Sequence, residues 1–394
     1  MSRRGGLVVE AEPAYRTAAA NPYNALLADA LQSQGARVRD LSYLRLAFGR
    51  VDVVHLHWPD LTFLSGQRMS IVRARLLLFR AALRLARLRG ARLVWTVHNL
   101  DAHERRATPA LRARLHRLLV EELDGLLALS VSSLALARVR YPELAALPGF
   151  VTPHGHYRTA YDWSLERGDA RRLLGLPPEA RLIVTVGQLR PYKNTAALLR
   201  AFAEVPGEDL ALAVAGRPSS AELAEELRGL AAADPRVVLD LGFQDDDRMA
   251  AYLRAADLVV LPYRSVLNSG SAILALSADR PVLVPALGSL VELADQVGSD
   301  WVRTFPEDAA ASELAPAIAW ATRANRPATV PLDALEWHAI AQTTLEAYAE
   351  VHAQPRIPAS RRNVPPPEKH SATGSPIAPA ATASPLVDAV HRSP

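Results

Sequence analysis

The sequence predicts an α/β fold: two tandem Rossmann-like, doubly wound domains facing a cleft, with a disordered tail at the C-terminal end. Three observations lead there. Short apolar runs of strand length alternate with longer helical patterns, six in each half of the chain. Most of these runs are continuously apolar rather than alternating, as in parallel strands covered on both faces. Finally, 394 residues with 49% hydrophobic and 22% charged content make a chain of ordinary globular composition that is too long for one core.

In order, the first series reads LVVEAE, ARVRDLS, DVVHLH, RLVWTVHN, GLLALS and FVTPHG, and residues 1–160 form the N-terminal domain. The polar stretch from Tyr157 to Arg172 reads as the hinge. The second series is RLIVTVGQ, LALAVAG, RVVLDLG, DLVVLPY, PVLVPAL and WVRTF, which assigns 161–330 to the C-terminal domain. Residues 331–351 hold a helix with Trp337, Ile340, Thr344 and Tyr348 along one side. From 352 to 394 the chain is rich in Pro, Ala, Ser and Thr with little to bury, and is expected to be disordered.

The absence of cysteine excludes disulfides, a thiolate nucleophile and a cysteine zinc site, and fits a reducing compartment, the cytoplasm. The start, MSRRGGLVVEAEPAY, has an apolar run too short for a signal-peptide core, and no uncharged run reaches the roughly 20 residues of a membrane span. The net charge of +4 suits acidic partners such as phosphates or anionic lipid surfaces.

Doubly wound sheets bind ligands beyond the carboxyl ends of their strands, so the chemistry belongs to the loops that follow strands. In the second half, NSGS (Asn268, Ser269, Gly270, Ser271) follows DLVVLPY and opens a helix, whose amides and dipole suit an anion such as a diphosphate; equally, Asn268 or Ser269 is simply a cap. After RLIVTVGQ, Arg190 and Lys193 stand beyond a strand end, where fixed cations suit a pyrophosphate leaving group. Glu292, in the first turn of another helix, suits ribose or sugar hydroxyls, or is ordinary first-turn charge.

The ordered series VGQLRPYK, LAVAG, LGF, DLVVLPY and SGSAILALSADRPVLVPALGSLVE resembles the nucleotide-sugar domain of GT-B glycosyltransferases, near the group 4-like superfamily. DVVHLHWP, VWTVHN and VTPHGHY resemble its N-terminal half, and the likeness spans about residues 5 to 350. The resemblance implies a nucleotide diphosphate-sugar donor in the C-terminal domain, a glycan or lipid-linked glycan acceptor in the N-terminal domain, no organic cofactor and no metal. It assigns Lys193 to the diphosphate and Glu292 to the family's glutamate after the small-residue pair. The family's neighbouring arginine falls on Gln188, leaving Arg190 as a displaced candidate. Both members of the family's glutamate pair are missing, with Val266 and Leu274 in their places. With NSGS between them, the chain is closer to polysaccharide and glycolipid transferases with an SGS-type loop, including bacterial GDP-mannose-dependent β-mannosyltransferases. GDP-mannose is therefore the preferred donor. A nucleotide-sugar epimerase on the same scaffold, or an inactive sugar-nucleotide or glycan-binding subunit, are the alternatives.

An inverting transfer needs a base for the acceptor hydroxyl, expected from the N-terminal domain. His98 is the first candidate because it ends the fourth strand, followed by Glu104 and Asp60. The H-x-H pairs, His55 with His57 and His154 with His156, also read as imidazole clusters for a metal, though they lie far apart in sequence. Between Asp60 and Asp101 there is no acid, and Arg73, Arg80, Arg84 and Arg87 fall on one helical stripe beside Val72, Leu76, Phe79 and Leu83. That stripe is either solvated surface or a contact with anionic lipid at the inner face of the plasma membrane. It lacks the interleaved aromatics of a nucleic-acid site.

Overall fold

The computed structural model describes residues 6–64, 69–100, 108–306 and 310–358. The first half runs β1 (Val8–Glu12), α1 (Tyr23–Ser33), β2 (Arg37–Asp40), α2 (Tyr43–Phe48), β3 (Val53–Leu56), α3 (Pro59–Leu64), α4 (Met69–Leu88), β4 (Arg92–Val97), α5 (Pro109–Glu122), β5 (Gly125–Ala128), α6 (Val131–Arg140) and β6 (Gly149–Val151). The second runs α7 (Arg167–Leu174), β7 (Arg181–Val186), α8 (Thr195–Ala203), β8 (Leu210–Ala215), α9 (Ala221–Ala231), β9 (Val237–Asp240), α10 (Asp246–Ala255), β10 (Leu258–Val260), α11 (Gly270–Ser277), β11 (Val282–Pro285), α12 (Ser289–Val297), β12 (Val302–Phe305), α13 (Ala310–Ala321) and α14 (Trp337–Ala353). Every strand run read from the sequence is a strand.

Each half forms a six-stranded parallel sheet, ordered β2-β1-β3-β4-β5-β6 and β12-β11-β10-β7-β8-β9. The order reverses between β1 and β3 in one sheet and between β7 and β10 in the other, and these switch points open crevices at the carboxyl ends. The continuous apolar runs follow from burial on both faces. Val54, Leu56, Leu93 and Val97 pack under α4 and α5, while Val9, Val53 and Val94 face α1 and α14. A buried Leu or Phe such as Leu83 or Phe79 contributes about 1.5–3 kcal/mol relative to exposure. Gly216, at φ 148°, ends β8 so close to β7 that a Cβ there would lie 1.8 Å from the Gly187 carbonyl oxygen. No side chain fits, and the loop after β7 is held flat against its neighbour.

Helix α14 returns to the first half. Trp337, Ile340, Thr344 and Tyr348 are all buried, packing toward α1, and the helix continues to Ala353, past the expected limit of 351. Positions from 359 in the expected tail lie outside the described residues. The stretch from Tyr157 to Arg172 is anchored at its two ends, where the Tyr157 amide donates to Ser277 Oγ at 2.8 Å and α7 buries Arg171, and is exposed or half-buried between them.

The arginine stripe on α4 runs beside acids of the neighbouring helix. Arg80 pairs with Glu121 and Glu122, Arg84 with Glu122 at 3.3 Å, and Arg87 with Glu122 and with Asp124 at 2.9 Å. Helix α5 ends in acids where the stripe passes, so three of its four members have carboxylate partners; Arg73 is exposed. Ile71, Leu77, Leu78 and Leu88 also stand exposed on α4, as do Leu44 and Phe48 on α2. No helix among the described residues is long and apolar enough to cross a membrane.

Candidate functional site

At the switch point of the second sheet, the loops after β7 and β10 line one pocket of about 310 Å³. Gln188, Arg190 and Lys193 come from the first loop and Asn268, Ser269, Gly270 and Ser271 from the second. Asn21 and Pro22, just before α1, close the pocket from the other half of the molecule. Residues about eighty positions apart in sequence thus face one space.

A 3-10 turn over Pro191–Lys193, followed by Asn194 at φ 58°, turns the Lys193 side chain back over the strand end. Its Nζ sits 5.6 Å from the centre of the Tyr263 ring, and among the described residues no carboxylate pairs with it. An ammonium facing an open pocket without a counter-ion suits an incoming anion. Arg190 Nη2 donates to Gln188 Oε1 at 2.9 Å, so its guanidinium reaches Gln188, where the family resemblance places an arginine.

Ser269 is the N-cap of α11, its hydroxyl accepting from the Ala272 amide at 3.2 Å. The amides of Gly270 and Ser271 belong to the first turn and have no partner within the helix. A Cβ at Gly270 would lie 3.4 Å from His154 Nε2 and 3.5 Å from the Tyr157 hydroxyl, so the start of α11 sits in contact distance of both side chains. Asn268 bridges the two halves: its Oδ1 accepts from Ser133 Oγ at 2.9 Å and its Nδ2 donates to the His98 carbonyl at 3.4 Å. The small polar interruption is therefore a helix cap, a pair of first-turn amides and an interdomain bridge within four residues.

Across the cleft, the carboxyl ends of β3 and β4 carry a row of imidazoles. His55 Nε2 lies 2.7 Å from Thr96 Oγ1 and its Nδ1 2.7 Å from the Tyr348 hydroxyl. His57 Nδ1 lies 3.1 Å from His98 Nε2, and Trp58 stacks on His98 at 4.5 Å between centroids. Tyr23 packs edge-on against His98 at 5.1 Å and lies 4.6 Å from the His154 ring. Burial pushes His55 down to about 3 and His154 to about 4; His57 and His98 fall well below the usual imidazole value, through burial and then neighbouring histidines. The row is neutral. Among the described residues no group of three or more His, Asp or Glu is arranged to hold a metal.

The other candidates are dispersed. Asp60 opens α3 and lines a separate cavity of about 260 Å³ with Arg112, His116 and Tyr141. Glu104 lies outside the described residues. Glu292 accepts from the amides of Val131 at 2.9 Å and Ser132 at 2.7 Å, so its carboxylate caps α6 of the other half rather than standing open. Ser133, Tyr23 and Asn21 were not singled out by the sequence, because only the approach of the two halves makes them neighbours of the pocket. A larger cavity, about 650 Å³, lies around Gly6, Gly35 and Gly49 at the amino ends of β1 and β2, the edge away from which doubly wound sheets bind.

Residues 180–323 match the family model described as Glycosyl transferases group 1. Over 332 residues the chain is 31% identical to a GDP-mannose:glycolipid 4-beta-D-mannosyltransferase of Xanthomonas campestris pv. campestris, covering 84% of this chain and 88% of that one. Among solved structures it is similar in fold to the sucrose-phosphate synthase of Thermosynechococcus elongatus, with TM-score 0.62, 19% identity, and coverage of 88% and 99% of the two chains. It is also similar to the catalytic domain of starch synthase IV from Arabidopsis thaliana bound to ADP and acarbose, with TM-score 0.64, 13% identity, and coverage of 89% and 100%.

Proposed function

Because the chain belongs to the group 1 glycosyltransferases of GT-B fold, we propose that it transfers mannose from GDP-mannose to a glycolipid at a membrane surface. The observation that carries this reading is the pocket where uncompensated Lys193 faces Gly270 and Ser271 at a helix N-terminus. A departing nucleoside diphosphate develops negative charge there, and fixed cations and amides stabilise it without reorganising. The donor and the acceptor class are those named for the Xanthomonas relative, which matches along most of both chains.

A β-linked product from an α-linked donor requires inversion, hence a base on the acceptor's side of the cleft. His98 is the residue we assign to that role. It ends β4, its carbonyl touches Asn268 of the donor loop, and its Nε2 is engaged by His57, leaving Nδ1 for a substrate proton. Burial by itself makes it a weak base. The negative charge of a bound diphosphate would raise its pKa and improve it when the donor is present. Glu292 would exchange its α6 amides for ribose hydroxyls as the donor enters. The enzyme works in the cytoplasm, peripheral to the inner face of the membrane, with exposed Arg73 and the leucines of α4 toward the lipid.

A thermal-shift panel of UDP-, GDP- and dTDP-sugars on the wild type and Lys193→Ala tests the donor reading. GDP-mannose should stabilise the wild type, by about 2.7 kcal/mol at one hundred times its dissociation constant, and Lys193→Ala should weaken that response. Stabilisation by another nucleotide class would move the donor assignment; no shift with any of them would remove it.

A further inference from the structure

A second cavity at the carboxyl edge of the first sheet, about 570 Å³, is not used by the donor site. It opens at the end of β1, one strand from the histidine row: the His57 amide donates to the Glu12 carbonyl at 2.9 Å. Its polar floor is Glu12, only 5% exposed, which pairs with Arg16 and accepts from Thr62 Oγ1 at 3.0 Å. Arg16 also faces Asp40 at 3.3 Å, and Arg75 donates to the Thr62 carbonyl at 2.9 Å. Tyr43 adds an aromatic wall.

The rim is apolar and open. Leu44 lines the cavity while 73% exposed, and Phe48, one turn further along α2, is 82% exposed. On α4, Ile71 and Leu78 share the helix face of Arg75 at i−4 and i+3, and both are exposed. A polar cup beside an exposed apolar strip fits an amphiphile. The charges decide which kind: the carboxylates of Glu12 and Asp40 stand against the guanidiniums of Arg16 and Arg75, so the cup holds no excess positive charge for a bare phosphate, unlike the pocket of Lys193. It does offer a carboxylate acceptor, guanidinium donors, a hydroxyl and an aromatic face, a set that matches the hydroxyls and apolar ring faces of a sugar.

We propose that this cavity receives the sugar headgroup of the glycolipid acceptor, with its lipid chain along Leu44, Phe48, Ile71 and Leu78. The proposal rests on the glycolipid reading above and adds where that substrate binds. Glu12 holds a sugar hydroxyl, and the strip keeps the chain out of water.

The test is calorimetric titration, with GDP saturating the donor pocket, of n-dodecyl β-D-maltoside below its micelle concentration. Maltose supplies the sugar without the chain, and dodecylphosphocholine the chain and phosphate without the sugar. Dodecyl maltoside should bind saturably and at least tenfold more tightly than either control. Glu12→Gln and Leu44→Asp should each weaken it about tenfold or more, the loss of one charge-assisted hydrogen bond or of the chain contact. Absence of saturable binding, equal binding of dodecylphosphocholine, or unchanged affinity in the variants would overturn the assignment. If Glu12→Gln does not fold by circular dichroism, Leu44→Asp decides alone, since so exposed a position carries little of the core. GDP thermal shifts on the same preparations report the donor separately: a retained shift without maltoside binding defeats the acceptor site only.

Discussion

The Tyr348 hydroxyl lies 2.7 Å from His55 Nδ1, joining the last helix to the third strand across 293 residues of chain. Both groups are buried, and His55 Nε2 is already engaged by Thr96. Tyr348→Phe would leave an imidazole nitrogen without a partner in the core, at about 1–3 kcal/mol. Urea unfolding should show a lower midpoint with an unchanged slope. An unaltered midpoint would mean that the hydroxyl is not part of what holds α14 down.

Four neutral imidazoles make stability fall with acid. His55, His57, His98 and His154 bind protons in the unfolded chain near the ordinary imidazole value of about 6.5 but resist them when folded, His55 to about 3 and His154 to about 4. Between those values the unfolded state holds more protons, so stability drops as pH falls below 6.5, by up to about 1.4 kcal/mol per pH unit for each group. Glu12, whose carboxyl burial raises, acts in the opposite sense. Midpoints at pH 7.5 and pH 5 should differ clearly in the wild type and less in His55→Gln.

Turnover should depend on His98 while donor binding does not. Incorporation of label from GDP-[14C]mannose into glycolipid extracted from the cells that make this protein is expected to fall about 10²- to 10⁴-fold in His98→Ala. His57→Ala should fall less, because it acts on His98 through the 3.1 Å contact rather than on substrate. A His98→Ala enzyme of normal rate would hand the role to Glu104.

Gly155 lies under the Trp337 indole. A Cβ there would come within 2.4–2.6 Å of three ring atoms, and the indole is fixed by its Nε1 donating to the His156 carbonyl at 2.7 Å. Gly155→Ala is expected to destabilise by about 1–3 kcal/mol through overpacking and to loosen α14. The check is the melting temperature together with protease sensitivity of the C-terminal helix.

The sequence by itself determined the two doubly wound halves, all twelve strands, the loops that carry Lys193 and Asn268–Ser271, and the buried side of α14. Those features rest on periodicity and on residues close together along the chain, and the backbone answers to both locally. Only the tertiary structure decided which charges meet. Arg80 and Arg84 find Glu122, Glu292 caps Val131 and Ser132 at a separation of about 160 residues, and Asn268 reaches Ser133. A charge or amide left unpaired in a crowded interior costs more than a paired one, so these groups take partners that packing brings within reach, and packing is set by the approach of two halves whose contacts no local pattern encodes.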